Sequence, residues 1–164
     1  GSGLATTFLA QHFFSSRKLF FAIDLNPFAC QFTRRTFIQN DLMSKHSMNI
    51  VQCDLAHPFL DRLCSNVDLI IFNPPYVPTE TSDVTEVIER TYAGGKFGLE
   101  VMERAIEQAS RLLKKTGLFY LVALEENGFE RLKEIAERCE MKTEIVLRRR
   151  TLIERLFVLQ FEKL

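Results

Sequence analysis

The stretch Val67-Asp68-Leu69-Ile70-Ile71-Phe72-Asn73-Pro74-Pro75-Tyr76 decides how this chain is read. Its first part, VDLIIF (67–72), is continuously apolar after Asp68, the pattern of a parallel strand buried on both faces. Its second part stops the strand. Two successive prolines fix φ and remove two backbone donors, and Asn73, standing before a proline, is driven to extended backbone. The result is a stiff corner at a strand end that offers carbonyl oxygens, the Asn73 amide and an aromatic face to a ligand. A planar NH2 group has two donors and needs two acceptors, which the Asn73 side-chain oxygen and the Pro74 carbonyl can supply. Held in this way, its nitrogen is aimed at an electrophilic carbon with its lone pair freed from conjugation, while Tyr76 stacks on its plane. Positioning of this kind supplies most of a rate enhancement when no strong base is needed. Asn-Pro-Pro is also an ordinary turn initiator, so its setting has to decide between the two readings.

The setting is an alternation of strands and helices. Residues 19–23 (LFFAI) form a short apolar strand ending at Asp24, and residues 49–53 form a second strand ending at Asp54. Asn26 and Pro27 start a helix running to about Gln39, Asn26 as its cap and Pro27 in its first turn. Residues 4–14 read as a helix with Leu4, Phe8, Leu9 and His12 on one side, and residues 58–64 as a short helix. Beyond the long loop 73–97, residues 98–115 show helical spacing through Val101, Ala105, Ala109 and Leu112. Residues 118–124 (LFYLVAL) are another buried strand, entered through Thr116-Gly117, and 129–139 an amphipathic helix. Residues 142–150 and 152–161 read as two strands joined by a tight turn, an antiparallel hairpin at the sheet edge. This order predicts an α/β fold with a doubly wound, mostly parallel sheet, in which ligands collect at the carboxyl ends of the strands. Asp24, Asp54 and Asn73 all fall at that rim.

Composition narrows the function. With 164 residues, the chain holds one compact α/β domain. Lys plus Arg is 21 and Asp plus Glu is 21, so no chain-wide basic field exists for gripping nucleic acid. No apolar run approaches the roughly 18 residues of a membrane span, so no membrane partner is expected. Cys30, Cys53, Cys64 and Cys139 are scattered, form no CxxC pair and do not cluster with His12, His46 or His57. Ordinary buried thiols in a reducing compartment, and no metal site, are the natural reading. Gly1-Ser2-Gly3 stands just before a helix and about twenty residues before Asp24, as the tail of a glycine-rich strand-to-helix turn would; an artificial leader is the plain alternative. The loop 93–98 (AGGKFG) reads either as a substrate-facing lid, its glycines allowing close peptide approach, or as a flexible connector. Arg148-Arg149-Arg150 reads as a solvated strand edge rather than a nucleic-acid surface.

These pieces together resemble the Rossmann-like class I S-adenosylmethionine-dependent methyltransferases. More narrowly, they resemble the HemK-like glutamine methyltransferases of the eukaryotic and archaeal type. The segments that carry the resemblance are GSGLATTFLA (1–10), AIDLNPFA (22–29), CDL (53–55), VDLIIFNPPYVP (67–78), YAGGKFGLEVMER (92–104) and GLFYLVALEEN (117–127). FNPPYVP followed by AGGKFG is specific in combination. The resemblance implies S-adenosylmethionine as cofactor, bound by Gly1, Gly3, Asp24 at the ribose hydroxyls, Asp54 near the adenine amino group, Leu55 beside the adenine ring, and Asn73. It implies Asn73, Pro74 and Tyr76 as catalytic residues, and Asn73, Pro75, Tyr76, Gly94 and Gly95 as contacts to the substrate. That substrate would be the glutamine of the GGQ motif in a class-one translation release factor, modified in the cytoplasm or nucleus. It further implies a strand, an acid and a glycine upstream of Gly1, so that 1–164 is a single methyltransferase domain incomplete at its N-terminus.

The strand at 49–53 is expected at a sheet edge. With the neighbouring Phe28, Phe32 and Phe37 it offers apolar surface and unpaired backbone to a partner strand, unless those groups are core. The resemblance implies that this partner is a small zinc-binding activator subunit. Two other functions fit some of the residues. An adenine amino methyltransferase could hold its NH2 in the same corner, against which stand the zero net charge and the lack of room for a DNA-reading region. A binding subunit with this fold but without a complete cofactor pocket is the non-enzymatic alternative. A nicotinamide dehydrogenase is disfavoured, because nothing resembles its catalytic base and the Asn-Pro-Pro-Tyr corner would have no role.

Overall fold

A computed structural model describes residues 1–13, 16–75, 99–151 and 154–164. These fall into two compact units, Gly1–Pro58 and Phe59–Leu164.

The first unit opens with helix α1 (Leu4–His12), followed by strand β1 (Leu19–Asp24), helices α2 (Pro27–Gln39) and α3 (Leu42–Lys45), and strand β2 (Ser47–Gln52). β1 and β2 are parallel, in register from Leu19 opposite Ser47 to Asp24 opposite Gln52. The start of α2 is chemically fixed: the Asn26 side chain accepts the Phe28 N–H at 2.9 Å and Pro27 occupies the first turn. Asp41, at φ 54°, breaks the chain between α2 and α3. Ala10, Phe37 and Leu42 form the core, with Phe20, Ala22, Met48 and Ile50 packed against it. Buried His46 ties the unit together. Its Nδ1 accepts from Lys18 N at 3.3 Å, its Nε2 lies 3.2 Å from the Ala10 carbonyl, and its ring meets Phe20 edge-on at 5.2 Å.

The inward face of α1 differs from the apolar side the sequence suggests. Thr7 and Ala10 are buried, whereas Leu4 and Phe8 are exposed. Small Ala10 lets the helix approach Phe37 and Leu42 closely, which a larger side chain there would prevent. The phenylalanines of α2 divide as well: Phe37 is core, while Phe28 and Phe32 are 63% and 58% exposed.

The second unit contains strand β3 (Val67–Phe72), helix α4 (Glu100–Leu112), strand β4 (Leu113–Leu124), helix α5 (Phe129–Arg138), and strands β5 (Met141–Arg150) and β6 (Arg155–Lys163). The strand order is β3-β4-β6-β5, with β3 parallel to β4 and β6 antiparallel to both its neighbours. β5 is therefore parallel to β4, and the carboxyl ends of β3, β4 and β5 share one rim. α4 buries Met102, Ala105, Ile106, Ala109 and Leu112, and α5 buries Leu132, Ile135 and Ala136. Phe119 and Phe161, both fully buried, stack at 5.3 Å across β4 and β6.

Four expectations need correction. Residues 58–64 do not form a helix; a single 3-10 turn, His57–Phe59, stands there, in a stretch where Leu60 is the one buried hydrophobic residue. β3 is not buried on both faces: Ile71 is 44% exposed, because among the described residues β3 has a strand neighbour, β4, on one side only. β4 starts at Leu113 rather than Leu118. Its first residues bulge, with Thr116 at φ 63° and a register shift opposite Val67 and Leu69, and Lys114 pairs with Asp68. The last strand starts at Arg155 rather than Leu152; the connection to it is tight as expected, with Thr151 N donating to the Glu154 carbonyl at 2.9 Å and Thr151 Oγ1 accepting from Glu154 N. Among the described residues no helix is long and apolar enough to cross a membrane.

Candidate functional site

In the first unit, the proposed cofactor residues gather at the carboxyl ends of β1 and β2. Gly3 precedes α1 at φ 77°, a left-handed conformation that disfavours side chains. It is also tightly packed: a Cβ there would lie 3.0 Å from Thr33 Cγ2 and 3.1 Å from Thr33 Cα. Two threonines of α2 hold the backbone on either side. Thr33 Oγ1 donates to the Gly1 carbonyl at 2.9 Å, and Thr36 Oγ1 donates to the Ser2 carbonyl at 2.8 Å. Thr33 and Thr36 were not among the residues singled out from sequence. Their i, i+3 spacing on a helix that also presents Phe37 inward was the available signal.

Asp24 closes β1 with its side chain 26% exposed. One carboxylate oxygen accepts the Asn26 N–H at 2.8 Å and the other pairs with the Gly1 amino group. A carboxylate offers about four lone-pair sites, so both oxygens can accept further bonds. The next strand end is stitched alongside: Cys53 N donates to the Asp24 carbonyl at 3.1 Å, and the Gln52 amide donates to the Leu25 carbonyl at 3.3 Å. This brings Asp54, exposed, and Leu55, half-buried, onto the loop beside Asp24. Leu55 adopts φ 51°, an unusual value for a branched side chain and a local cost of about 1–3 kcal/mol. Its carbonyl accepts the Cys53 thiol at 3.2 Å.

Contrary to expectation, no cysteine is fully buried: Cys64 is exposed and Cys139 half-buried, as are Cys30 and Cys53, whose thiols donate to the Asp24 and Leu55 carbonyls. Burial pushes both thiols above the ordinary range; Asp24 adds to the effect at Cys30, and Cys30 and Asp54 add to it at Cys53. Both are therefore protonated and poorly nucleophilic at neutral pH. Among the described residues no group of three His, Cys, Asp or Glu side chains could hold a metal ion.

In the second unit, Asn73 follows β3 directly and is exposed, while Pro74 is buried and Pro75 half-buried. The corner is thus anchored through its first proline, and its amide projects outward. Among the described residues no group bonds the Asn73 side chain. Tyr76, Gly94 and Gly95, with the lid expected at 93–98, lie outside the described residues.

The model of the methyltransferase small domain family matches residues 1–146. The chain belongs to that family. This methyltransferase is 38% identical over 164 residues to Methyltransferase HEMK2 of Mus musculus, a match covering 99% of this chain and 74% of that protein. It is 31% identical over 170 residues to the eRF1 methyltransferase catalytic subunit mtq2 of Schizosaccharomyces pombe, covering 100% of this chain and 73% of that protein. Among solved structures it resembles the E. cuniculi Mtq2-Trm112 complex responsible for methylating the eRF1 translation termination factor. That match has a TM-score of 0.59 at 22% identity and covers 100% of this chain and 96% of the other, a likeness of fold.

The methyl donor of this methyltransferase is S-adenosylmethionine. The residues present suit that group. An adenosine needs carboxylate acceptors for hydroxyl and amino donors, and Asp24 and exposed Asp54 provide them side by side. The left-handed, side-chain-free Gly3 turn leaves backbone open to close approach.

Proposed function

We propose that this methyltransferase modifies the side-chain amide nitrogen of the GGQ glutamine in a class-one translation release factor. The observation that carries the reading is the Asn73-Pro74 corner: an exposed carboxamide at the end of β3, stiffened by a buried proline and without a partner among the described residues. The mtq2 relative, named for its action on eRF1, supports the same substrate. When bound, S-adenosylmethionine supplies an electrophilic methyl group. The chain's own residues hold and aim the nucleophile. The Asn73 side-chain oxygen and the Pro74 carbonyl accept the two amide N–H bonds, and Tyr76 covers the plane of the amide. Gly94 and Gly95 let the substrate peptide approach, and Pro75 fixes the turn. The cofactor contacts in this reading are Gly1, Gly3, Asp24, Asp54 and Leu55 of the first unit, and Asn73 of the second. Residues 1–164 act in this reading as one methyltransferase domain.

A small zinc-binding activator adds a strand to the edge of β2 that has no strand neighbour among the described residues, and covers Phe28 and Phe32. A release-factor substrate and four free cysteines support a cytoplasmic location for the enzyme, with the nucleus also open to it.

The test offers labelled S-adenosylmethionine with release factor, release factor lacking the GGQ glutamine, DNA, RNA and free histone, each with and without the activator. Label on the intact release factor alone is the expected result. Label on nucleic acid alone refutes the proposal in favour of adenine chemistry. Calorimetry showing no heat with S-adenosylmethionine in either condition refutes it in favour of a binding subunit.

A further inference from the structure

The three consecutive arginines lie exposed on the edge strand β5, as expected. With Glu125, Phe129, Ile145, Arg155, Leu156 and Phe157 they line an open concavity of about 460 Å³ at the tip of the β5–β6 hairpin. The pairing places Arg148 opposite Phe157 and Arg150 opposite Arg155, so these four side chains share one face of the hairpin. The Arg148 guanidinium lies 5.5 Å from the centre of the Phe157 ring. Arg155 donates to Glu125 Oε2 at 2.8 Å. Among the described residues no carboxylate pairs with Arg148 or Arg150. Both are exposed, and Arg148 is steered by the ring beneath it.

The location is as informative as the charge. Phe72, Leu121, Leu159 and Ile145 lie level across the sheet, whereas Leu124, Leu156 and Arg149 lie level three residues further along. The arginines therefore overhang the rim that carries Asn73. Arg149 stands roughly 14 Å sideways (three strand spacings) and roughly 7 Å (two residues) upward from Asn73. An extended peptide of about five residues spans that gap.

We propose that Arg148 and Arg150 form an anion subsite for an acidic segment of the protein substrate, about five residues from the methylated glutamine or beside it on the folded surface. The inference rests on the release-factor reading for its substrate. Its ligand chemistry is a carboxylate, which the arginine fork accepts in bidentate fashion. The surroundings favour a protein over RNA. Glu125 is already paired with Arg155, which leaves Arg148 and Arg150 as the open cations, and the one ring beside them, Phe157, is already engaged by Arg148.

Two measurements test it. Fluorescence anisotropy compares labelled hexaglutamate with hexauridylate on the wild type, on Arg148→Glu/Arg150→Glu, on the milder Arg148→Gln/Arg150→Gln, and on Lys142→Glu at the other end of β5. Hexaglutamate is expected to bind more tightly than hexauridylate, to weaken at least ~10-fold in both arginine variants, and to change less than ~2-fold in Lys142→Glu. In steady-state methylation of release factor, the arginine variants should raise KM ~10-fold and leave kcat within ~2-fold. Unchanged hexaglutamate binding, absent binding by the wild type, or preference for hexauridylate overturns the subsite. Failure of the wild type to methylate release factor refutes the function reading instead, while the anisotropy still decides the subsite.

Discussion

Replacing Gly3 by alanine challenges the turn that leads into α1 in two separable ways. The first is conformational: at φ 77° an alanine costs about 1–2 kcal/mol that glycine does not. The second is steric. The new Cβ would stand 3.0 Å from Thr33 Cγ2, 3.1 Å from Thr33 Cα and 3.3 Å from Phe37 Cε1. Overpacking of this degree costs about 1–3 kcal/mol. The sum is about 3 kcal/mol, or roughly two decades in a local opening equilibrium. Tyrosine fluorescence would not report it, because Tyr76, Tyr92 and Tyr120 all lie beyond Pro58. Hydrogen exchange by mass spectrometry on α1 and α2 does, since Thr7 N donates to the Gly3 carbonyl at 2.9 Å. Protection there should fall ~100-fold. Adding Thr33→Ser to Gly3→Ala removes the 3.0 Å methyl contact and keeps the hydroxyl that bonds Gly1. It should recover about one decade of that loss, leaving the conformational part in place. Protection within ~3-fold of wild type in the single variant would refute the reasoning, because neither cost would then exist.

Three other outcomes follow from the same geometry. Asn73→Ala should lower kcat at least ~100-fold while leaving stability within ~0.5 kcal/mol, since an exposed, unpartnered amide holds no fold; a variant retaining activity removes Asn73 from the site. Gly117→Ala should destabilise the second unit by about 2–3 kcal/mol in urea, because its Cβ would meet the Lys114 carbonyl at 2.8 Å and the Val67 carbonyl at 3.0 Å; an unchanged midpoint contradicts the bulge. Iodoacetamide should modify exposed Cys64 first and Cys30 and Cys53 slowly until the pH is alkaline. The folded thiols ionise later than the unfolded ones, so the stability they contribute is present at neutral pH and lost as pH rises into and beyond the ordinary thiol range. Equal labelling of all three at neutral pH contradicts that order.

Local chemistry was legible in the chain. Asn26-Pro27 announced the start of α2, and the polar residues closing apolar runs marked the ends of β1 at Asp24 and of β3 before Asn73; β2 runs over Ser47–Gln52 rather than 49–53, which leaves Asp54 in the loop beyond it. What escaped were decisions made at a distance. Nothing local says that Ala10 rather than Phe8 faces inward; the approach of Phe37 and Leu42 selects it. The four-residue α3 follows a left-handed Asp41, which sequence alone assigns to a loop as readily. The bulge at the start of β4 comes from its pairing with Val67 and Leu69, far away in sequence. For the candidate site, the acids were singled out because their type suits the chemistry. Thr33 and Thr36 were missed because their role is to grip the Gly1-Ser2 backbone, contacts fixed more than thirty residues away.

The placement of β6 has a consequence for synthesis. β5 has no direct bond to β4; β6 lies between them and joins both. On a ribosome, β5 therefore emerges with no seat in the growing sheet and must wait, edge open, until the residues of β6 follow. The second unit becomes cooperative late, by insertion instead of sequential addition, and the interval before insertion is when a chaperone would find the apolar residues of β4 uncovered.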